Sequence, residues 1–163
     1  MSTFTERDAT PDDAAWIVAL HAAPHARPFL QQPTEQGVRA SLGRENYAER
    51  IVLDDAGERV ALWRASLDEA WIAELRTLAV ALPGKGAGTW ALRRALAWAF
   101  GERGVHRVFL YVTAANARAR ALYERYGLTL EGTERDGFRS PDGTFEDLCH
   151  YGILEDEWRD TRR

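Results

Sequence analysis

The sequence predicts a single α/β domain, residues 1–163, built on one mixed β-sheet of about six to seven strands with about four helices. Three observations predict it. Strand-like runs between residues 50 and 80, interrupted by the turn Asp54-Asp55-Ala56-Gly57, read as an antiparallel meander. A glycine loop at residues 83–88 then separates the last of those strands from a helix whose Leu92, Leu96 and Phe100 form one apolar stripe. A further strand follows, and strand, helix, strand in that order is the pattern of a parallel crossover.

Taken in order, Thr3 to Thr10 is short and β-compatible, and Thr10-Pro11-Asp12-Asp13 supplies an N-cap, an N1 proline and first-turn acids. The predicted helix runs from Pro11 to Ala22, and the proline-rich stretch from His21 to Pro33 ends it as an irregular connection. A second short helix follows Thr34. The meander occupies Arg50 to Leu53, Arg59 to Leu67 and Trp71 to Val80. Beyond the glycine loop come a helix from Thr89 to Arg103, a strand from His106 to Val112 and a helix from Ala117 to Tyr126. Two last strands, Thr129 to Arg135 and Phe145 to Leu154, flank the turn Ser140-Pro141-Asp142-Gly143.

Composition removes several function classes. Hydrophobic residues at 45% and charged residues at 28% of 163 are ordinary globular usage, which excludes a disordered, collagen-like or disulfide-scaffold chain. The net charge is −4, without a run of like charges, which argues against a nucleic-acid partner. Cys149 is the only cysteine, so neither an intrachain disulfide nor a cysteine-based metal site can form, and the four histidines show no metal-ligand spacing. The N-terminus lacks a signal-peptide pattern and no apolar run is long enough to span a bilayer, so the expected location is the cytoplasm, away from membranes.

The sole lysine, Lys85, falls inside Pro83-Gly84-Lys85-Gly86-Ala87-Gly88. Glycines at a helix N-terminus leave backbone N–H groups open to a phosphate or pyrophosphate, although the same glycines also suit a plain tight turn. A Walker-type loop needs Ser or Thr after Gly-Lys, and Gly86 stands there instead. The string from Gly86 to Ala91 fits the dinucleotide fingerprint, yet no acidic residue lies between Gly104 and Tyr123 to hold a ribose.

The next helix reads Asn116-Ala-Arg-Ala-Arg-Ala-Leu-Tyr123-Glu-Arg-Tyr-Gly127-Leu128. With the loop, it resembles the GNAT superfamily of acyl-CoA-dependent N-acetyltransferases, whose signature is R/Q-x-x-G-x-G/A, followed by N-x-x-A-x-x-L-Y-x-x-x-G-F. The tail from Glu131 to Trp158 is similar to the Rim-type branch, whose members acetylate ribosomal-protein N-termini. Pro83 occupies the place of the usual Arg or Gln, and the stretch from Val80 to Gly84 is about two residues shorter than the family's pattern.

The resemblance implies acetyl-CoA as acyl-donor co-substrate, without a metal, and an acetyl group moved to a primary amine by direct attack in a ternary complex. It implies Glu74 as general base, with Glu69, Glu131 and Asp147 as substitutes, and Tyr123 as the acid protonating the leaving thiolate, with Tyr126 as stand-in. It implies main-chain contacts to the cofactor from Leu78, Ala79 and Val80, phosphate contacts from Gly84, Lys85, Gly86, Ala87, Gly88 and Thr89, and further contacts from Asn116 and Ala119. Asn116 also stands where an N-cap belongs. Arg118 and Arg120 are either phosphate ligands or solvated helix arginines. Trp90, Arg94 and Trp98 share a helix face that either packs within the fold or marks a homodimer contact.

The acceptor is left open between a protein N-terminus and a polyamine, aminoglycoside or amino-acid amine. The resemblance implies that the connection from Pro24 to Pro33 and the turn near Asp142 line its opening. A non-catalytic acyl-CoA-binding or regulatory module on the same fold is the alternative to an enzyme.

Overall fold

Near-continuous apolar runs along the central strands give a sheet covered on both faces, in a computed structural model that describes residues 3–162. The order is β1 (Thr5–Asp8), a 3₁₀ turn (Pro11–Asp13), α1 (Ala14–Ala22), a 3₁₀ turn (Arg27–Phe29), α2 (Glu35–Ser41), β2 (Tyr47–Leu53), β3 (Arg59–Glu69) and β4 (Ile72–Val80). Then follow α3 (Ala87–Leu96), β5 (Arg107–Thr113), α4 (Ala117–Arg125), β6 (Thr129–Arg139), β7 (Phe145–Leu154) and α5 (Glu155–Asp160). Seven strands lie in the order β1-β2-β3-β4-β5-β7-β6. Only β4 and β5 run parallel, joined over one face by α3, as the strand-loop-helix-strand pattern requires.

Each face carries its own core. Leu92 and Leu96 of α3 and Tyr123 of α4 pack with Trp63, Tyr151 and Ile153 of the sheet. Ile17 and Leu20 of α1 and Val38 of α2 cover Ile51 and Leu62 on the other side.

Several boundaries differ from expectation. The first helix opens as a 3₁₀ turn at Pro11 and becomes α-helical only from Ala14. The helix expected from Thr89 starts at Ala87, because Gly86 at φ +87° turns the loop into it. Its end widens into π-helical turns over Ala97–Glu102, with Arg103 N–H donating to Trp98 O. Strand β2 begins at Tyr47 instead of Arg50, and β6 continues past Arg135 to Arg139 through a break in register between Glu134 and Phe138. Asp136, at φ 54°, carries that bulge, and its N–H donates to Asp147 Oδ1.

A second irregularity positions the site. Ala65 pairs with Leu75 and Arg64 with Thr77, so Arg76 is an extra residue in β4. Before this bulge Ala73 and Leu75 face the α3 core, and after it Ala79 belongs to the α1–α2 core. The ladder between β4 and β5 runs only from Ile72↔Arg107 to Glu74↔Phe109. Beyond Glu74 the two strands part.

Asp13 anchors the helix that leads into the irregular connection. Its carboxylate, 1% exposed, accepts bonds from Arg7 of β1 at 2.7 and 2.8 Å, Arg59 of β3 at 3.2 Å and Thr10 N–H at 2.8 Å. The Arg7 hydrogen bond, foremost, holds its pKa far below the ordinary Asp range. The unfolded chain then binds the proton more readily, so this stabilisation is full above the ordinary Asp pKa of about 4 and fades as pH falls below it. Asp13→Asn should cost on the order of 2 kcal/mol at pH 7, and urea unfolding should show the deficit shrinking as the pH is lowered toward 3.

Candidate active site

The parting of β4 and β5 opens a cavity of about 470 Å³ between β4, the glycine loop and α4. Residues 78–80, the loop residues 84–89, Asn116, Ala119 and Tyr123 all line it. Glu74 does not line this cavity. It stands on β4 at the last rung before the strands separate, so it marks the vertex of the opening.

Unpaired strand edges must satisfy their backbone groups elsewhere, and here the β5-facing edge of residues 75–80 has no ladder partner. One acceptor is taken from outside the sheet: His25 Nε2 lies 2.8 Å from Val80 O. His25, Ala26, Phe29 and Leu30 also line the cavity. Ser140 Oγ, in the β6–β7 turn, donates to Pro28 O at 3.4 Å, so the two segments expected to border the acceptor opening touch each other.

Gly84 and Gly86 both have φ +87°, a conformation that side chains disfavour. A β-carbon on Gly88 would lie 3.2 Å from Val80 Cγ1, so glycine lets β4 and α3 close together there. The first N–H groups of α3 have no intrahelical acceptor and face the loop with the positive end of the helix dipole. Lys85 is exposed on the same loop. Arg118 supplies what Pro83 lacks, its Nη2 lying 3.7 Å from where a β-carbon on Gly84 would stand. Glycine cradle, helix N-terminus and two cations make a donor set that fits a pyrophosphate.

Arg120 points elsewhere. Its Nε donates to Tyr151 Oη at 3.1 Å and its Nη1 to Ala114 O at 3.2 Å, while Tyr151 Oη donates to Glu124 Oε1 at 2.7 Å. Asn116 is the N-cap of α4, its Oδ1 accepting from Ala119 N–H at 3.2 Å, and it lines the cavity as well. Cap and wall are thus one residue. Tyr123 is buried to 6% exposure within the core and reaches the same cavity. Burial alone pushes its pKa further up, so the hydroxyl keeps its proton throughout the physiological range.

On the vertex, burial raises the Glu74 pKa, opposed by Arg76, whose Nη2 lies 2.9 Å from Oε2, by Arg64 and by His150; Asp68 adds to the rise. The substitute bases are placed differently. Glu69 is exposed at the end of β3, and Asp147 Oδ1 accepts from the β6 bulge. Glu131 takes two hydrogen bonds from Arg107, which hold its pKa down.

The Trp90, Arg94 and Trp98 face packs within the chain. Trp98 tilts against Trp63 with ring centroids 5.9 Å apart, Trp90 against Phe4 at 6.1 Å, and Arg94 binds Glu6 at 2.7 Å. Among the described residues, no helix is long and apolar enough to cross a membrane.

This geometry defines the class: a sheet split between parallel central strands, with a glycine cradle and helix N-terminus at one end of the split. Residues 13–128 match the model of the Acetyltransferase (GNAT) family. The chain belongs to that family. Over 75 residues it is 39% identical to YdaF of Bacillus subtilis (strain 168), which carries the provisional name ribosomal N-acetyltransferase; the match spans 46% of this chain and 40% of YdaF. The structure of a Vibrio cholerae spermidine N-acetyltransferase in complex with CoA and spermine superposes with TM-score 0.85 at 20% identity, covering 96% of this chain and 98% of that one. A GNAT-family acetyltransferase from Streptococcus pneumoniae gives 0.76 at 24% identity, covering 93% and 99%.

Sequence reasoning did not single out His25 or the 26–30 segment as cavity wall on the cofactor side. The signal was faint: a His between prolines, with no period to place it. Arg118 was left between two roles, and only the fold brings it over Gly84. Arg118→Ala should weaken acetyl-CoA binding about tenfold, with the loss growing at low ionic strength and the melting temperature unchanged, as calorimetry at two salt concentrations would show.

Proposed function

We propose that the protein transfers the acetyl group of acetyl-CoA directly to the N-terminal amine of a peptide or protein, with Glu74 as base and Tyr123 as acid. The observation that carries this reading is the vertex itself. Glu74 ends the β4–β5 ladder, and the cavity reached by Tyr123 begins where that ladder stops. A thioester lying along residues 78–80 would have the amine side toward Glu74 and the sulfur toward α4.

Each group has a fitting task. The ammonium must lose a proton before its lone pair can attack, and a desolvated carboxylate with a raised pKa is a stronger base than an exposed one. Unpaired N–H groups of residues 75–80 offer hydrogen bonds to the carbonyl oxygen as it becomes an oxyanion. The C–S bond then breaks with its electron pair going to sulfur, and the Tyr123 hydroxyl, fully protonated at neutral pH, donates to that thiolate. The cavity outlines a path for the pantetheine arm, and the loop with Arg118 takes the phosphates.

The choice of acceptor rests on charge matching. The spermidine enzyme of Vibrio cholerae acts on a polycation, which calls for several unmatched carboxylates. Here Glu131 is held by Arg107, Glu49 by Arg64 at 3.2 Å and Glu74 by the half-exposed Arg76. Beside them Asp68 accepts from the Ser66 hydroxyl at 3.0 Å and is in no arginine pair among the described residues, and one such acid among matched ones suits one ammonium followed by a neutral chain. The provisional name of YdaF agrees with that preference. A panel of N-terminal peptides, spermidine, aminoglycosides and free amino acids, read by thiol release, tests it. Peptides should give the highest kcat/KM, and spermidine exceeding every peptide would overturn the choice of acceptor.

Two substitutions test the chemistry. Tyr123→Phe removes a hydroxyl and little volume, so turnover should fall about 10²-fold while acetyl-CoA affinity and melting temperature hold; full activity would remove the acid role. Glu74→Gln should abolish the acidic limb of the pH–rate profile, which in the native enzyme lies above that of an ordinary Glu because the carboxyl is desolvated. An unchanged limb in the variant would move the base elsewhere.

A further inference from the structure

We propose that His150 is a positioning and proton-relay residue, taking from Glu74 the proton that Glu74 removes from the amine; this rests on the reading of Glu74 as base. His150 lies on β7 opposite Tyr111 of β5, and its imidazole stacks on the Tyr111 ring with centroids 4.7 Å apart and planes at 16°. The edge of the cluster is Phe109, 5.5 Å from the imidazole at 87°. Phe109 is itself the β5 partner of Glu74. Three adjacent strands therefore set Glu74, Phe109, Tyr111 and His150 side by side at the vertex.

The imidazole has one nitrogen, Nδ1, left for proton exchange with water. Nε2 is cut off from water and has no hydrogen-bond partner among the described residues, and the nearest carboxylate oxygen, Glu131 Oε2, stands 4.0 Å away. Glu131 cannot swing freely, because Arg107 grips both of its oxygens. The pair lies flat over β7 at Gly152, where a β-carbon would come within 2.5 Å of Glu131 Oε1. The other charged groups around the vertex are Arg76 and Glu74 on β4, Arg64 and Asp68 on β3, and Arg107 on β5.

The proton count closes without a further reactant. The ammonium gives one proton to the Glu74 carboxylate, the freed amine attacks the thioester carbon, and the C–S electron pair leaves on sulfur, which takes the Tyr123 proton, while the adduct nitrogen gives its second proton to water as the amide forms. The Glu74 carboxyl then gives its proton, across water, to Nδ1 of His150, the ring nitrogen that is not sealed from water. Nδ1 passes the proton on to solvent, to which 30% of the side chain is open. Water returns to Tyr123 a proton equal to the one the adduct nitrogen released, so the net products are the amide, the CoA thiol and one proton.

His150→Gln and His150→Phe test the relay by pH–rate profiles at saturating acetyl-CoA and peptide. At pH 7 kcat should fall about tenfold in both, with acetyl-CoA affinity and melting temperature unchanged. By pH 9, where solvent bases accept the proton, the deficit should shrink to about twofold, and added imidazole should restore kcat in His150→Gln at pH 7. A deficit equal at every pH and deaf to imidazole, or no deficit at all, overturns the relay. Should His150→Phe fold poorly, the glutamine variant alone decides. Glu74→Gln in the same series separates the two readings: a wild-type rate there overturns the base and the relay together, whereas a slow Glu74→Gln beside unaffected His150 variants overturns only the relay.

Discussion

The site depends on a single backbone constraint, the end of hydrogen bonding between β4 and β5 after Glu74. Parallel strands that stay paired leave no room between them and no free donors. By parting, they create the cavity and leave the β5-facing groups of residues 75–80 for a ligand. The extra residue Arg76 on the β3 side bends β4 at the same place and exchanges the faces of the residues that follow. A bent strand cannot track a straight neighbour, so bulge and split are two views of one distortion.

The two sides of the split are charged in opposite ways. On the glycine-loop side are the α3 N-terminus, Lys85 and Arg118, none of them paired with an acid within the loop. On the vertex side carboxylates dominate, but arginines match them: Arg76 with Glu74, Arg107 with Glu131, Arg64 with Glu49. A planar guanidinium holds a carboxylate in a fixed orientation, which a lysine does less well. The near-total use of arginine as the basic residue of this chain fits a fold that fixes its acids by such pairs.

Much of the architecture was legible because its signals are local. The Asn116 cap, the Gly86 turn into α3 and the Ser140 to Gly143 hairpin are each set by a few adjacent residues. The elements that were misread are set by distant partners. Nothing near Arg76 signals a bulge, since it follows from how β3 and β5 hold the two halves of β4. Asp136-Gly137 reads as a strand end, yet the Asp147 carboxylate captures Asp136 N–H and lets β6 run on. Among site residues the glycine loop, Asn116 and Tyr123 were visible as a spaced motif. The grouping of Glu74 with Phe109, Tyr111 and His150 was not, because strands β4, β5 and β7 bring them together from separate parts of the sequence.

The structure of the protein with acetyl-CoA bound tests the central claim most directly. The pyrophosphate should lie on the N–H groups of the 84–89 loop beside Arg118, the thioester oxygen within about 3.2 Å of a backbone N–H of residues 75–80, and the sulfur within about 3.5 Å of the Tyr123 hydroxyl. Acetyl-CoA bound outside the split, for instance in the second groove of about 610 Å³ beside Trp90 and Trp158, would contradict it.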